Sequence, residues 1–318
     1  MFVIKTPLRV SFAGGGTDYN EYYRRFGGQV ITTTIDKYCC VIARKMPPFL
    51  GSKYRIFWSK AESPDRIEDI KHPGVRGCLE YMKMDEGIEV NHAGDLPARS
   101  GLGSSSSFTV GMLHAIHKMR GEEVSQSQLA VEAIEVEQDV LKEMVGIQDQ
   151  IQCAHGGVNH LRFNKDGSYS ISPVIFDYAR VESHLMLCFS GLQRFASEVA
   201  KDQVSNFKHK EMELREISDM VPSVIGAMKH DDMEFLGKLM DESWELKKSL
   251  SDKITSPELD DLYKTAMKAG AYGGKLLGAG GGGFFLFVAP PELHQSIAEK
   301  LGLICVPVKF EFKGSHVL

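Results

Sequence analysis

The chain has 318 residues, of which 43% are hydrophobic and 25% charged, and carries a formal net charge of −5. That length holds one large or two medium domains with a sizeable core. The acidic balance excludes a broad cationic face for nucleic acid or a membrane surface, so any anion must be gripped locally. Cys39, Cys40, Cys78, Cys153, Cys188 and Cys305 are scattered without a Cys-x-x-Cys pair. This predicts neither a zinc site nor a disulfide framework and fits a reduced cytoplasm. No targeting segment is expected at the N-terminus, where Lys5 and Arg9 interrupt the apolar residues, and no stretch reaches the ~18 apolar residues of a membrane span.

Residues 2–13 alternate around Pro7 as a strand that Gly14-Gly15-Gly16 breaks. Successive glycines let a ligand come close to backbone, and Asp18, after Thr17, can accept hydrogen bonds from ligand hydroxyls. A plain hairpin with an Asx-turn at Asp18 is the alternative. Residues 29–35, 38–44 and 54–58 are β-like, and 87–92 form a strand that delivers the chain into Pro97-Ala-Arg-Ser-Gly-Leu-Gly-Ser-Ser-Ser-Ser107. Here two closely spaced glycines allow a tight turn, and Phe108, Ala115, Ile116 and Met119 follow at helical spacing. A glycine turn feeding a helix start is an anion cradle, because the first helical N–H groups lack partners and the macrodipole adds positive charge. The Lys-Ser/Thr of the common P-loop is missing. The helix is expected to end at Arg120-Gly121, a cation followed by a C-terminal glycine.

The next helix is predicted over 127–144. At about 100° per residue, Ala130, Ala133, Ile134, Val140, Leu141 and Met144 fall on the side of Glu137, whereas Glu135 points away. A carboxylate facing a core is costly unless paired or bound to a cation, which makes Glu137 a functional candidate beside the alternative of a structural ion pair. Asp149, taken alone, reads as the cap of a short helix ending at His155-Gly156-Gly157. His155 and His160 read as structural. Strands at 158–163, 169–175 and 184–189 follow, with a domain boundary near residue 178.

Residues 194–250 read as mostly helical, interrupted at Pro222, and Ser256-Pro257-Glu258 is a strong helix start running to Lys268. Lys275-Leu-Leu-Gly-Ala-Gly-Gly-Gly-Gly283 precedes an apolar strand at 284–288. A helix at 296–301 and a strand at 306–312 complete what reads as a small α+β sandwich. Residues 278–283 satisfy Gly-x-Gly-x-x-Gly, but they lead into a strand near the C-terminus and not into a helix after a first strand, so dinucleotide binding is disfavoured.

Three glycine-rich blocks in this order, with an acidic pair between the second and third, resemble the GHMP kinase superfamily. Thr6-Pro-Leu-Arg9 through Gly-Gly-Thr-Asp18-Tyr-Asn is similar to its first motif, Pro97 to Ser107 to its second and Lys275 to Gly283 to its third. Phe-Ala-Gly-Gly-Gly-Thr-Asp, the Gln-Asp-Gln around Asp149 and the closing Phe-Lys-Gly-Ser are most similar to the branch acting on D-glycero-D-manno-heptose 7-phosphate, with fucokinase a near neighbour. The resemblance implies a two-lobed α+β fold: a ribosomal-protein-S5-like domain at 1–178 that binds ATP and Mg²⁺, and a ferredoxin-like sandwich at 179–318 that completes the substrate cleft.

The resemblance also implies roles. Pro97, Ser100, Gly101, Leu102, Gly103, Ser104, Ser105 and Ser106 would surround the ATP phosphates, and Ser105 and Glu137 would hold Mg²⁺. Asp149 would take the proton from the anomeric hydroxyl, with Arg9 as partner for its charge and for the negative transition state. Gly15, Gly16, Thr17, Asp18, Gly280 and Gly281 would contact the sugar. Arg194, with Ser197, is the candidate for the sugar phosphate, and Lys37 or Arg25 the alternates. Leu277, where many relatives carry Thr, and Val145, where a glycine is common, depart from the pattern. ATP and a sugar phosphate are the expected partners, a homodimer is allowed, and no nucleic acid or membrane is expected. The rivals are a fucose-type or other hexose 1-kinase and a non-catalytic metabolite sensor.

Overall fold

The computed structural model describes residues 1–47, 49–192 and 196–318. β1 (Phe2–Ala13) turns at the three glycines into α1 (Asn20–Phe26), and β2 (Gly28–Lys45) returns antiparallel along β1, from Ala13 opposite Ile31 to Phe2 opposite Ala43. The expected pair of strands in 29–44 is thus one long strand. β3 (Tyr54–Phe57), β4 (Ala61–Glu62), α2 (Pro73–Tyr81) and β5 (Ile88–Gly94) follow. Next come α3 (Ser104–Arg120), α4 (Gln126–Glu135), α5 (Gln148–His155), β6 (Val158–Phe163) and β7 (Tyr169–Pro173). α3 ends where the sequence predicts, with Gly121 in the left-handed region at φ 74° accepting no Cβ penalty.

The expected helix over 127–144 is shorter. α4 stops at Glu135, one π-turn follows (Val136–Val140), and Lys142 adopts φ 54°. A π-turn adds one residue per ring and rotates the following side chains, so the α-helical projection loses its meaning beyond Val140. Glu137 nevertheless lies on the core side, fully buried.

α6 (Tyr178–His184) leads to β8 (Leu185–Phe189), then α7 (Ala196–Asn206), α8 (Glu211–Asp219), α9 (Val221–Lys229), α10 (Met233–Lys248) and α11 (Pro257–Lys268). Ser256 caps α11, accepting from the Leu259 N–H. β9 (Gly273–Leu276), β10 (Phe284–Val288), α12 (His294–Leu301), β11 (Cys305–Val306), β12 (Phe310–Glu311) and β13 (His316–Val317) close the chain. Among the described residues the first lobe carries a nine-stranded sheet and the second a four-stranded sheet ordered β11-β8-β10-β9. The last residues do not finish the second sandwich as expected: β12 pairs with β2 and β13 with β1, so the tail recrosses to the first sheet.

One core fills the first lobe around β1, β2, α2 and α3, and another fills the second around Trp244, Phe285 and Phe287. A third is shared: Leu8, Val10 and Leu102 from the first lobe pack with Leu187, Leu277 and Phe284 from the second. This shared apolar layer fixes the lobes against each other directly behind the glycine loops. Cys188 and Cys305, opposite each other on β8 and β11, form a disulfide. That corrects the expectation of no disulfide, because residues 117 apart in sequence are brought together only by strand pairing. No described helix is long and apolar enough to cross a membrane.

Candidate active site

The second and third glycine loops meet at the lobe junction by backbone contact. A Cβ on Gly101 would lie 2.4 Å from the Leu277 carbonyl oxygen, and one on Gly278 would lie 2.4 Å from Gly101 Cα. Any side chain there would force the second and third loops apart. The Phe284 N–H donates to the Ser100 carbonyl (3.2 Å) and the Arg9 N–H to that of Leu102 (3.0 Å), so the second loop is stitched to both lobes.

Arg9 leaves β1 and reaches Asp149 on α5 with two hydrogen bonds of 2.6 Å, one to each carboxylate oxygen, while a third N–H donates to Gly101 O at 2.7 Å. Such a fork fixes both side chains in one plane. Burial opposes the Arg9 charge, but the Asp149 carboxylate outweighs it and the guanidinium pKa is raised. Gly103, at φ 70°, leaves no space beside this pair: a Cβ there would come within 2.9 Å of Arg9 Cγ and 3.3 Å of Asp149 Oδ2. Asp18 lies alongside, buried, accepting from the N–H groups of Gly16 (3.2 Å) and Gln148 (3.3 Å). Burial, then the Asp149 charge, push the Asp18 carboxyl above its usual range, against the pull of its backbone donors.

Gly103 is the cap residue of α3, and no described side chain caps that end, so the first turn of a 17-residue helix opens its N–H groups toward the loop. Glu137 faces this turn. Its Oε2 accepts from Ser106 Oγ (3.0 Å) and Gln150 Nε2 (2.5 Å), whereas its buried Oε1 has no hydrogen-bond partner among the described residues, the nearby Thr109 hydroxyl donating to Ser105 O (3.1 Å). Burial first, then Glu143, push its carboxyl up to about 8. A buried carboxylate oxygen without a donor, next to a serine hydroxyl and a bare helix start, has the chemistry of a divalent cation ligand whose other partners are phosphate oxygens and water. Among the described residues no group of three or more His, Cys, Asp or Glu could hold a metal by itself. A magnesium ion carried in by a triphosphate fits that arrangement, since it needs only one or two protein ligands.

Several expected site residues stand differently from expectation. Ser106 is the serine that touches Glu137, while Ser105, one position earlier and about 100° around the helix, is exposed. Thr17 is buried and structural, its hydroxyl donating to Gly14 O at 2.8 Å and so closing the first loop. Ser100 is buried with an unpartnered hydroxyl, Leu102 belongs to the core, and Pro97 is exposed. Gly15 lies in the first loop; Gly280 packs on Ile254, and the Gly281 N–H donates to Ile254 O (2.8 Å). Arg194 and the Ser197 side chain fall outside the described residues. Lys37 and Arg25 are engaged by Asp36 and Glu211. His160 is buried and meets Gln29 Oε1 at 2.7 Å, as a structural histidine does. Next to the start of α3, Leu8, Tyr38, Cys39, His92, Leu96 and Ser104 line a cavity of about 190 Å³.

Sequence reasoning missed Lys247, Lys275 and Gln150. Lys275, on β9, donates to Phe12 O (3.4 Å), and Lys247, on α10, donates to the carbonyls of Leu276 (3.4 Å) and Gly278. The only signal for Lys275 was its place just before the third glycine block.

Residues 74–157 match the model of the GHMP kinases N terminal domain and residues 224–303 that of the GHMP kinases C terminal domain, together just over half of the chain. The chain is 28% identical to a D-glycero-alpha-D-manno-heptose 7-phosphate kinase of Campylobacter jejuni over 93% of this chain and 92% of that one. It is 24% identical to a galactokinase of Pyrococcus furiosus, over 98% and 96%. The solved structure of a D-glycero-D-manno-heptose 1-phosphate kinase from Bacteroides thetaiotaomicron shares the fold, with a TM-score of 0.82 and 22% identity over 100% of this chain and 99% of that one. With both halves matched, the chain belongs to the GHMP kinase family of ATP-dependent phosphotransferases.

Proposed function

We propose that this kinase transfers the γ-phosphoryl group of ATP to the anomeric hydroxyl of a heptose phosphate of the D-glycero-D-manno type, giving a bisphosphate for nucleotide-activated heptose. The observation that carries the reading is the Arg9–Asp149 fork, held between the α3 start and Asp18. The relatives named for heptose phosphates support the sugar, and their coverage of nearly the whole chain supports placing its cleft between a nucleotide lobe at 1–178 and a second lobe at 179–318.

Phosphoryl transfer needs an immobilised acceptor, a cradle for charge and a proton acceptor. Asp149 is the base: each oxygen takes one N–H from Arg9 and keeps a lone pair for the sugar hydroxyl. Arg9 then faces the charge that grows on the transferring group. Asp18 orients sugar hydroxyls. The amides at the start of α3 face the phosphates, and the cavity beside Ser104 takes the nucleotide base. Glu137, with Ser106 and Ser105 at the same turn, would hold Mg²⁺, which when bound neutralises the phosphates.

The test is a panel of sugars assayed with MgATP. A heptose 7-phosphate should give a kcat/KM at least about 100-fold above free heptose, galactose or fucose, the difference a buried ionic contact supplies. A free hexose as the best acceptor would reassign the enzyme to a hexose 1-kinase, and no turnover with any sugar would favour a sensor.

A further inference from the structure

Three cations and one acid are buried where the second and third loops converge, Arg9, Lys247 and Lys275 with Asp18, and Asp149 stands beside Arg9 with its side chain 23% exposed. Asp149 is consumed by Arg9, and Asp18 by backbone donors from Gly16 and Gln148. Among the described residues the two lysines are left with carbonyls as hydrogen-bond partners, those of Phe12, Leu276 and Gly278. Lys247 is 7% and Lys275 3% exposed. A buried ammonium with no carboxylate beside it is costly, and each of these retains donor capacity beyond its carbonyls. Burial, followed by the neighbouring Arg9, pulls Lys275 down to about 8; burial, followed by Lys275 and Arg9, pulls Lys247 well below its usual range, with Asp18 acting the other way.

Their positions are also informative. Phe12 lies two residues before the first glycine, Gly14, and Leu276 and Gly278 flank the start of the third loop. The second loop touches Gly278 at Gly101. The lysines therefore stand under two loops built of residues without side chains, at the seam between lobes.

We infer that Lys247 and Lys275 form a cationic pair that binds a phosphate group of a substrate through the first and third glycine loops. The pair rests on the reading of this cleft as a phosphoryl-transfer site. An incoming phosphate supplies the missing counter-charge and balances the cation excess of the cluster. The phosphate belongs either to ATP or to the sugar, and the two sources are separable by experiment.

Calorimetric titration of the full-length protein with magnesium AMP-PNP alone, heptose 7-phosphate alone and free heptose as uncharged control tests the pair in Lys275→Met, Lys247→Met and Lys275→Arg. Loss of about tenfold or more in the nucleotide titration assigns the pair to the γ-phosphate, and the same loss in the sugar phosphate titration assigns it to the acceptor. Free heptose should bind equally to all variants, and Lys275→Arg should retain most of the lost affinity. Unchanged affinity for both phosphate ligands, or equal loss for the free sugar, overturns the pair. Should the Met variants fail to fold, crystals of the wild-type protein with each ligand decide it: no phosphate oxygen at hydrogen-bond distance from either ammonium, directly or through one water, overturns it. Turnover of free sugars only would defeat the heptose phosphate reading while leaving the nucleotide titration decisive for the lysines.

Discussion

The two acids of the proposed phosphoryl-transfer site differ in how complete their surroundings are. Asp149 has both oxygens held by Arg9 at 2.6 Å, whereas Glu137 has one oxygen held by Ser106 and Gln150 and the other bare in a fully buried setting. An acid whose geometry is set in advance suits proton transfer, where position decides the rate. One left short of a partner suits a ligand that arrives with substrate, because the burial cost is recovered only on binding. The lysine pair repeats the second pattern with the sign reversed.

The largest expected effect strikes the complete side. Asp149→Asn keeps the shape and removes the base, so turnover should fall by about 10²–10⁴-fold with nucleotide affinity little changed. Rapid-quench and binding measurements would check both; near-normal turnover in a folded variant removes Asp149 from the role. Gly146→Ala is a subtler way to disturb that side. A Cβ there would lie 1.9 Å from Asp18 Oδ2, so the carboxylate must move, and the sugar KM should rise by about tenfold while that for ATP stays put.

Much of this contrast was legible in the sequence. Glu137 in an apolar stripe, the anion cradle after Pro97 and the ends of α3 and α11 follow from periodicity and capping, which are local. The π-turn was not legible, because it depends on how α4 packs, and it limited the stripe to residues before Val140. Nor was the contact of Ser106 with Glu137, since four consecutive serines carry no mark of which one faces the acid. Lys247 sits beside Lys248 in an ordinary amphipathic helix, and only tertiary contact tells the buried one from its half-buried neighbour. The recrossing tail and the Cys188–Cys305 pair likewise depend on strand neighbours distant in sequence.

The smallest expected effect concerns stability. The Glu137 carboxyl titrates near 8 in the folded chain and in the ordinary carboxylate range when unfolded. Its contribution is therefore full below that ordinary range and is lost as pH rises toward 8, since the unfolded chain releases the proton first. Glu137→Gln does not titrate, so in magnesium-free buffer its melting temperature should exceed that of wild type by a few degrees, about 2–4 °C, at pH 8 and by less at pH 5. Equal differences at both pH values would indicate that the acid is not held protonated.

The bare oxygen of Glu137 is where the account can be tested most directly. Electron paramagnetic resonance of Mn²⁺ with ADP should reveal one tight site in the wild-type protein, weakened by about tenfold or more in Glu137→Gln while ADP alone still binds. Identical manganese binding in the two proteins would contradict the assignment of the cation to this acid.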